Sequence, residues 1–174
     1  MNIALRLGLI GLLLALSGQA FSGQPPVRVS VGDVPPDDLG RGRNGDEFLI
    51  SAQHGKVVVV TFWASWCGYC RKELPMLGGL QDAAGRDCLE VVAINQDDRD
   101  VYRALLRKFK DVQLTMTHDA GGRIGAAYGV TGIPHLLVIG RNGKVAFKAT
   151  GYGEESMQAI LDAVNGALAG PAGS

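Results

Sequence analysis

Hydrophobic residues follow two different spacings along the chain from residue 56 onward. The stretch from Val57 to Trp63 is β-branched or aromatic throughout, which predicts a strand that is buried on both faces. Residues 70–84 carry leucines at helical spacing, and residues 89–94 predict a second central strand. Alternating strands and helices of this kind indicate a sheet that is covered by helices on both sides.

The helix after the second strand is expected to begin at Asp98, which is a suitable capping residue. We expect this helix to turn four apolar side chains inward, namely Val101, Leu105, Leu106 and Phe109. The rest of the chain predicts a short strand, a small helix, two strands and a final helix, at residues 114–117, 123–128, 135–139, 145–150 and 154–168. Asn142 and Gly143 favour a tight turn between the last two strands, so that pair is antiparallel and the sheet is mixed.

The first twenty residues have the organisation of an export signal. Arg6 precedes an apolar run from Leu7 to Leu16, and small residues lead up to Ala20. We expect cleavage after Ala20, which places the protein in the periplasm or otherwise outside the cytoplasm. The alternative is an uncleaved N-terminal anchor, although a spanning helix needs about 20 apolar residues and this run is shorter.

Residues 21–45 are rich in glycine and proline and form an N-terminal extension. The alternation of Val27, Val29 and Val31 predicts that part of this extension adds an edge strand to the sheet. One compact domain follows over residues 46–170, and residues 171–174 form a short tail.

Charge and cysteine content narrow the range of functions. The chain carries 17 basic and 17 acidic residues, so we expect no nucleic acid partner. It has three cysteines, and an odd number argues against a purely structural disulfide framework. Outside the reducing cytosol, the close pair Cys67 and Cys70 can hold or exchange a disulfide.

Cys67 and Cys70 lie where the first predicted strand gives way to a helix. A separation of two residues at this point brings both sulfurs within disulfide reach. The unpaired N–H groups and the positive dipole end of the helix stabilise a thiolate at its N-terminus. Cys67 is therefore the expected nucleophile, and Cys70 is the thiol that resolves a mixed disulfide.

A Cys-x-x-Cys pair can also bind zinc or form a structural disulfide. Cys-x-x-Cys also opens many zinc sites, but zinc needs about four ligands. The remaining candidate ligands are scattered singly along the chain, at His54, His118, His135 and Cys88. We therefore expect no metal site. A static structural disulfide is not expected either, because closing so short a loop adds little stability.

The segment from Thr61 to Pro75 reads TFWASWCGYCRKELP and resembles the active-site strand and helix of the TlpA/ResA-like exported thioredoxins. The resemblance continues through residues 91–95, 127–134, 137–139 and 142–144. It implies an α/β thioredoxin fold, with a central mixed β-sheet flanked by helices and an N-terminal extension. It also implies a redox-active Cys67–Cys70 disulfide and no other cofactor.

The same resemblance implies roles for residues around the pair. Pro134 matches the cis-proline that lies beside the disulfide in this family, and the backbone of Ile133 matches a binding site for an extended substrate segment. Asp98 matches an acidic residue that ResA-like members place near the active site, and its alternative role is that of a helix cap. The residues that flank the cysteines and support them are Trp66, Gly68 and Tyr69.

Some residues depart from the family pattern. Thr61 stands where thioredoxin has a buried Asp and many exported members have Asn, so this strand brings no carboxylate to the disulfide. His135 stands where Thr is usual, and we expect it to fill the strand edge rather than to tune the thiolate. Cys88 matches no catalytic position and is expected to be a small core residue.

The resemblance implies an exported thiol–disulfide oxidoreductase that acts on protein substrates. We expect a reductase of the cytochrome c maturation or disulfide repair type, which takes electrons from a membrane thiol reductant. The alternative is a disulfide oxidase or isomerase, because Cys-Gly-Tyr-Cys resembles periplasmic isomerases and reductants of this family more often carry a proline there. A copper-binding thioredoxin-like chaperone is a more distant alternative, since those relatives usually space their cysteines by three residues.

Overall fold

The computed structural model describes residues 28–109 and 112–171. The expected export signal at residues 1–20 and the first valine of the predicted edge strand lie outside the described residues. The strands in the described part are β1 (Asp38–Arg41), β2 (Glu47–Leu49), β3 (Val57–Trp63), β4 (Leu89–Asn95), β5 (Thr115–His118), β6 (His135–Ile139) and β7 (Val145–Thr150). The helices are α1 (Gly68–Ala84), α2 (Arg99–Lys108), α3 (Arg123–Tyr128) and α4 (Glu154–Ala169). None of these described helices is both long and apolar enough to cross a membrane.

The described strands join one sheet in the order β2-β1-β5-β4-β3-β6-β7. The central strands β3, β4 and β5 run parallel to one another, whereas β6 pairs antiparallel with β3 and β7 antiparallel with β6. The hairpin between β6 and β7 turns at Gly143, whose φ of 74° lies in the left-handed region that glycine adopts without strain. The predicted mixed sheet flanked by helices is confirmed.

Buried side chains cover both faces of the central strands. One apolar cluster combines alternate residues of β3 with side chains of α1 and α4, among them Val59, Trp63, Leu74 and Ile160. The other cluster combines the intervening residues of β3 with side chains of α3, among them Val60, Phe62, Ile124 and Tyr128. We call these the α1 face and the α3 face of the sheet. Because successive strand residues point to opposite faces, every residue of β3 is buried.

The N-terminal extension contributes a strand, but not where the alternating valines predict it. Residues 28–31 form no strand, whereas β1 at Asp38–Arg41 lies between β2 and β5. The short sequence of β1 has no alternation, and its place is decided by contacts with the rest of the sheet. Leu39 is fully buried, and a Cβ at Gly40 would lie 3.0 Å from the carbonyl oxygen of His118, so only glycine fits there.

Helix α2 is rotated relative to the prediction. Val101 is 42% exposed, so its predicted inward position is wrong. Tyr102 is buried in its place, and its hydroxyl donates a hydrogen bond of 3.0 Å to the carbonyl oxygen of Met116. The other residues predicted to turn inward pack against the α1-face cluster, namely Leu105, Leu106 and Phe109. These three follow Tyr102 at spacings of three, four and seven residues, which puts all four on one side of the helix.

Candidate active site

A disulfide joins Cys67 and Cys70 where β3 passes into α1. Cys67 is the N-cap residue of α1, and Cys70 lies in the first helical turn. The backbone N–H of Cys70 donates a hydrogen bond of 3.1 Å to the Sγ atom of Cys67. The strand-to-helix junction therefore brings the two cysteines together, as the sequence predicts.

The two sulfurs differ in their access to solvent. Cys67 is 6% exposed, whereas Cys70 is fully buried. Two aromatic residues next to the pair project outward, with Trp66 74% exposed and Tyr69 60% exposed. Because an incoming protein can only attack or be attacked by an accessible sulfur, the geometry favours Cys67 as the sulfur that meets a client.

Helix α1 begins at Gly68 and presents its N-terminus to Cys67. Its first turn, which is fully described, contains no acidic residue. Arg71 and Lys72 are exposed, and the ammonium group of Lys72 lies 6.0 Å from the centre of the Tyr69 ring. The positive end of the helix dipole therefore acts on Cys67 without a neutralising carboxylate in that turn, which favours the thiolate over the thiol.

A carboxylic acid is buried one turn beyond Cys70. Glu73 is almost fully buried, and its Oε2 atom accepts a hydrogen bond of 2.7 Å from the hydroxyl of Thr61. Burial raises the pKa of Glu73 from 4.5 to about 7, and the hydrogen bond from Thr61 acts in the opposite direction. An acid with this pKa can both accept and donate a proton near neutral pH.

Sequence reasoning missed Glu73 because it looked for a carboxylate at Thr61 in the strand and at Asp98 beyond the next strand. The strand carries no carboxylate, but the Thr61 hydroxyl contacts one that α1 supplies. The signal was present in the sequence, since Glu73 lies three residues after Cys70 and beside the inward Leu74. An acidic residue at an inward helical position is uncommon unless it is paired or functional.

Asp98 lies at the N-cap of α2, is exposed, and accepts no capping hydrogen bond with its side chain. Its expected role near the active site stays a prediction. The preceding residue is the carboxylate that contacts the active-site turn: Asp97 accepts hydrogen bonds from the backbone N–H of Ser65 at 2.7 Å and from the Ser65 hydroxyl at 3.0 Å. Sequence reasoning missed Asp97, because nothing in the pattern distinguishes it from its neighbour.

The peptide bond between Ile133 and Pro134 is cis and leads into β6. Since β6 pairs antiparallel with β3, with His135 opposite Phe62, this bond lies at the edge of the sheet where β3 ends and the disulfide turn begins. Pro134 is buried and Ile133 is half-buried. Binding of a substrate segment by the Ile133 backbone stays a prediction.

His135 is buried on the α3 face, whereas the cysteines belong to the cluster on the α1 face. Its ring stands edge-on to Phe62 at 6.1 Å, and its Nδ1 atom lies 3.0 Å from the Thr150 hydroxyl. Burial, and after it the charge of Lys148, lowers the pKa of His135 to about 4. The ring is therefore uncharged at neutral pH, which agrees with a structural role.

Cys88 is a free, half-buried cysteine directly before β4. Its carbonyl oxygen accepts a hydrogen bond of 2.9 Å from the backbone N–H of Val57, at the beginning of β3. The disulfide follows the other end of β3, and a strand of seven residues is about 20 Å long. Cys88 is therefore separated from the redox pair by the length of the strand.

Comparison with known proteins agrees with this site. The sequence matches the Redoxin family over residues 30–164, which is more than half of the chain. The chain belongs to the Redoxin family. The Cys67–Cys70 pair and the buried Glu73 all lie within the matched region.

Proteins with assigned activities are similar to this chain along most of its length. The thiol-disulfide oxidoreductase ResA of Bacillus subtilis is 27% identical over 161 residues, which cover 90% of this chain and 89% of ResA. The thiol:disulfide interchange protein HelX of Rhodobacter capsulatus is 32% identical over 119 residues, which cover 68% of this chain and 64% of HelX. A Chlorobium tepidum structure assigned as the thiol:disulfide interchange protein DsbE superimposes with a TM-score of 0.72 and is 32% identical in sequence. The superposition covers 80% of this chain and 99% of the Chlorobium tepidum chain.

These similarities confirm the resemblance on which the sequence analysis relied. This Redoxin-family chain is a TlpA/ResA-like protein with a thioredoxin fold. It is a thiol–disulfide oxidoreductase of the ResA/DsbE type, and Cys67 and Cys70 form its Cys-x-x-Cys pair.

Proposed function

We propose that this protein acts outside the cytoplasm as a reductase of disulfides in other proteins. The observation that carries the proposal is the unequal placement of the two sulfurs. Cys67 is 6% exposed and follows the exposed Trp66, whereas Cys70 is fully buried on the same helix as Glu73. An accessible nucleophile in front of a buried resolving thiol suits exchange with a bulky partner.

In the first step, the Cys67 thiolate attacks one sulfur of a client disulfide. A bond forms between Cys67 and that client sulfur, and the second client sulfur leaves as a thiolate that takes up a proton. The N-terminus of α1 supports this step because it favours the thiolate of Cys67. Exposed Trp66 and Tyr69 offer apolar surface against which the client segment packs.

In the second step, Cys70 attacks the Sγ atom of Cys67. A buried thiol loses its proton reluctantly, so this step needs a nearby base. Glu73, with its pKa near 7, is placed one helical turn from Cys70 to accept that proton. The Cys67–Cys70 bond forms, the bond to the client breaks, and the client leaves with both sulfurs reduced.

Each turnover oxidises the pair, so a reductase needs a donor of two electrons and two protons. The export signal expected at residues 1–20 would place the protein where the cytosolic thiol pools do not reach. A membrane thiol reductant is the class of donor that fits this location. Clients are then exported proteins with a disulfide to be opened, either cytochrome c precursors during maturation or proteins with wrongly paired cysteines.

The dipeptide Gly68-Tyr69 favours a second candidate function, that of an oxidase or isomerase. The reduction potential separates the two functions, since thioredoxin-fold pairs span roughly −270 mV in thioredoxin to −120 mV in a strong oxidant. We expect about −200 to −250 mV, because the dipeptide lacks the proline of many reductants while Arg71 and Lys72 are exposed and screened.

Equilibration of the protein with glutathione buffers, followed by the fluorescence of Trp63 and Trp66, measures this potential. A value near −120 mV would favour the oxidase. In an insulin reduction assay, Cys67→Ser should abolish activity, and Cys70→Ser should accumulate client adducts on Cys67. Stable adducts on Cys70 in the Cys67→Ser protein would reverse the assignment of the two sulfurs.

Export is tested separately by the mass of the protein recovered from a periplasmic extract. Cleavage after Ala20 predicts a chain that begins at Phe21. Recovery of the intact chain with the membrane fraction would instead support an N-terminal anchor.

A further inference from the structure

Two hydrogen bonds join the active-site turn to the loop that follows β4. The Asp97 carboxylate accepts one from the backbone N–H of Ser65 at 2.7 Å and one from the Ser65 hydroxyl at 3.0 Å. Ser65 stands two residues before Cys67, and the backbone N–H of Cys67 bonds to the Ala64 carbonyl oxygen at 3.1 Å. A carboxylate that accepts both donors of one residue fixes the position of that residue, here the middle of the turn that leads to the nucleophile.

Asp97 is itself held by neighbouring strands. The side-chain amide of Asn95, which is fully buried at the end of β4, donates to the Asp97 carboxylate at 2.8 Å, and the backbone N–H of Asp97 donates to the Asn95 side-chain oxygen at 3.0 Å. The Nε2 atom of His118, in β5, lies 2.8 Å from the Asp97 carbonyl oxygen. Asp97 therefore connects the disulfide turn to β4 through its carboxylate and to β5 through its backbone carbonyl oxygen.

We propose that Asp97 is a positioning residue of the exchange reaction, which keeps Cys67 in place opposite Cys70 when the disulfide is open. This proposal rests on the proposed function and extends it to a residue that does not touch the reacting atoms. In the dithiol and mixed-disulfide states, no covalent bond holds Cys67 against Cys70. The hydrogen bonds from Ser65 to Asp97 then limit the movement of the turn.

Two measurable consequences follow. The stability of a disulfide depends on the effective concentration of one thiol at the other, so a looser turn makes the Cys67–Cys70 disulfide easier to reduce. A looser turn also slows the attack of Cys70 on a mixed disulfide at Cys67, while the reaction of Cys67 with an outside reagent changes little. A slower attack by Cys70 together with an unchanged reactivity of Cys67 is the result that a positioning role predicts.

The experiment compares Asp97→Ala, Asp97→Asn and Ser65→Ala with the unaltered protein. Asp100→Asn is the matched control, because Asp100 is an exposed carboxylate near Asp97 whose contact is an ion pair with Arg103. Glutathione is the probe throughout. The equilibrium constant for disulfide formation, the release of glutathione from a mixed disulfide on Cys67, and the alkylation rate of Cys67 are measured.

We expect Asp97→Ala to lower the equilibrium constant and the release rate by about tenfold, the size of one lost hydrogen bond to a charged group. Ser65→Ala loses the hydroxyl bond and keeps the backbone bond, so about a threefold loss is expected. Asp97→Asn retains an acceptor for the Ser65 N–H and should stay within about threefold of the unaltered protein. Cys67 alkylation, and all three values for Asp100→Asn, should change by less than about twofold.

Several outcomes would overturn the proposal. Equal losses in Asp97→Asn and Asp97→Ala would mean that the charge of Asp97 acts, rather than its hydrogen bonds. Unchanged glutathione release in Ser65→Ala would also contradict it, and this variant decides the matter if Asp97→Ala does not fold. Because these measurements use no client, failure of the proposed reductase function would appear instead as absent insulin reduction by the unaltered protein.

Discussion

In the protein core, the hydroxyl of Thr61 in β3 donates a hydrogen bond of 2.7 Å to the carboxylate of Glu73 in α1. This bond joins the strand that precedes the disulfide to the helix that follows it. It holds an acid whose pKa burial raises to about 7. Thr61 replaces the polar or acidic residue that is usual in the family, and its hydroxyl binds a carboxylate that α1 supplies.

Replacement of Glu73 by glutamine removes the proposed proton acceptor and keeps the size of the side chain. We expect insulin reduction by Glu73→Gln to fall at least roughly tenfold at pH 7, because proton transfer by a positioned side chain contributes about that much or more. The pH profile between 5.5 and 8.5 should also lose its inflection near 7.

Asp98→Asn is the comparison variant for this experiment, since it removes an exposed carboxylate that makes no capping hydrogen bond. If the pH profile of insulin reduction changes in Asp98→Asn and not in Glu73→Gln, Asp98 is the residue that transfers the proton, as the family resemblance implies. Thermal stability of Asp98→Asn should change little in either case.

The buried acid also predicts how stability varies with pH in the oxidised protein. In the unfolded chain Glu73 ionises near pH 4.5, whereas in the folded protein it keeps its proton until about pH 7. The unfolded chain therefore binds fewer protons in this window, and Glu73 destabilises the fold progressively as the pH rises from 4.5 to 7, by about 3 kcal/mol in total. Urea unfolding should show Glu73→Gln gaining stability relative to the unaltered protein across this window. A constant difference at pH 4.5, 6 and 8 would contradict a raised pKa.

His135 predicts the opposite trend over pH 4 to 6.5, a window that overlaps the Glu73 window between pH 4.5 and 6.5. Its pKa is about 4 when folded and near 6.5 when unfolded, so the unfolded chain binds more protons between these values. Stability is then lost as the pH falls from 6.5 to 4, by up to about 3 kcal/mol. His135→Thr, which restores the usual family residue, should gain stability relative to the unaltered protein as the pH falls from 6.5 to 4 in urea unfolding, because the variant lacks this loss. Because the ring lies on the α3 face, Cys67 alkylation in this variant should stay within about twofold, and a larger change would show that His135 acts on the thiolate.

Cys88 should have no part in exchange, since the length of β3 separates it from the pair. We expect Cys88→Ala to leave insulin reduction within about twofold, which is under ~0.5 kcal/mol. A much larger loss in a folded variant, or dimers linked through Cys88, would give this thiol a role that its position does not indicate.

Elements with a strong local pattern were predictable from the sequence. Seven β-branched or aromatic residues in a row define β3, and the Asn142-Gly143 turn defines the β6–β7 hairpin. Strand β1 was misplaced because its residues have no strand pattern and pair only through contact with β5 and β2. Tyr102 was overlooked as an inward residue because its hydroxyl needs an acceptor when buried, and the sequence does not show that the Met116 carbonyl oxygen supplies one.

The same distinction separates the two parts of the active site. Cys67 and Cys70 could be predicted because their spacing at a helix start carries the chemistry by itself. Asp97 could not, since its contact with Ser65 depends on the direction in which the chain turns after β4. Glu73 lies between these cases, because its inward helical position is visible in the sequence while the Thr61 hydroxyl that contacts it is not.

The position of β1 between β2 and β5 bears on how the protein behaves when it is shortened. The predicted domain boundary at residue 46 would remove β1 and leave the outer edge of β5 with unpaired N–H and C=O groups. An open edge next to parallel strands invites pairing with another chain. A chain that begins at residue 46 would therefore keep both cysteines and still be prone to aggregation, because the extension supplies the strand that covers the edge of β5.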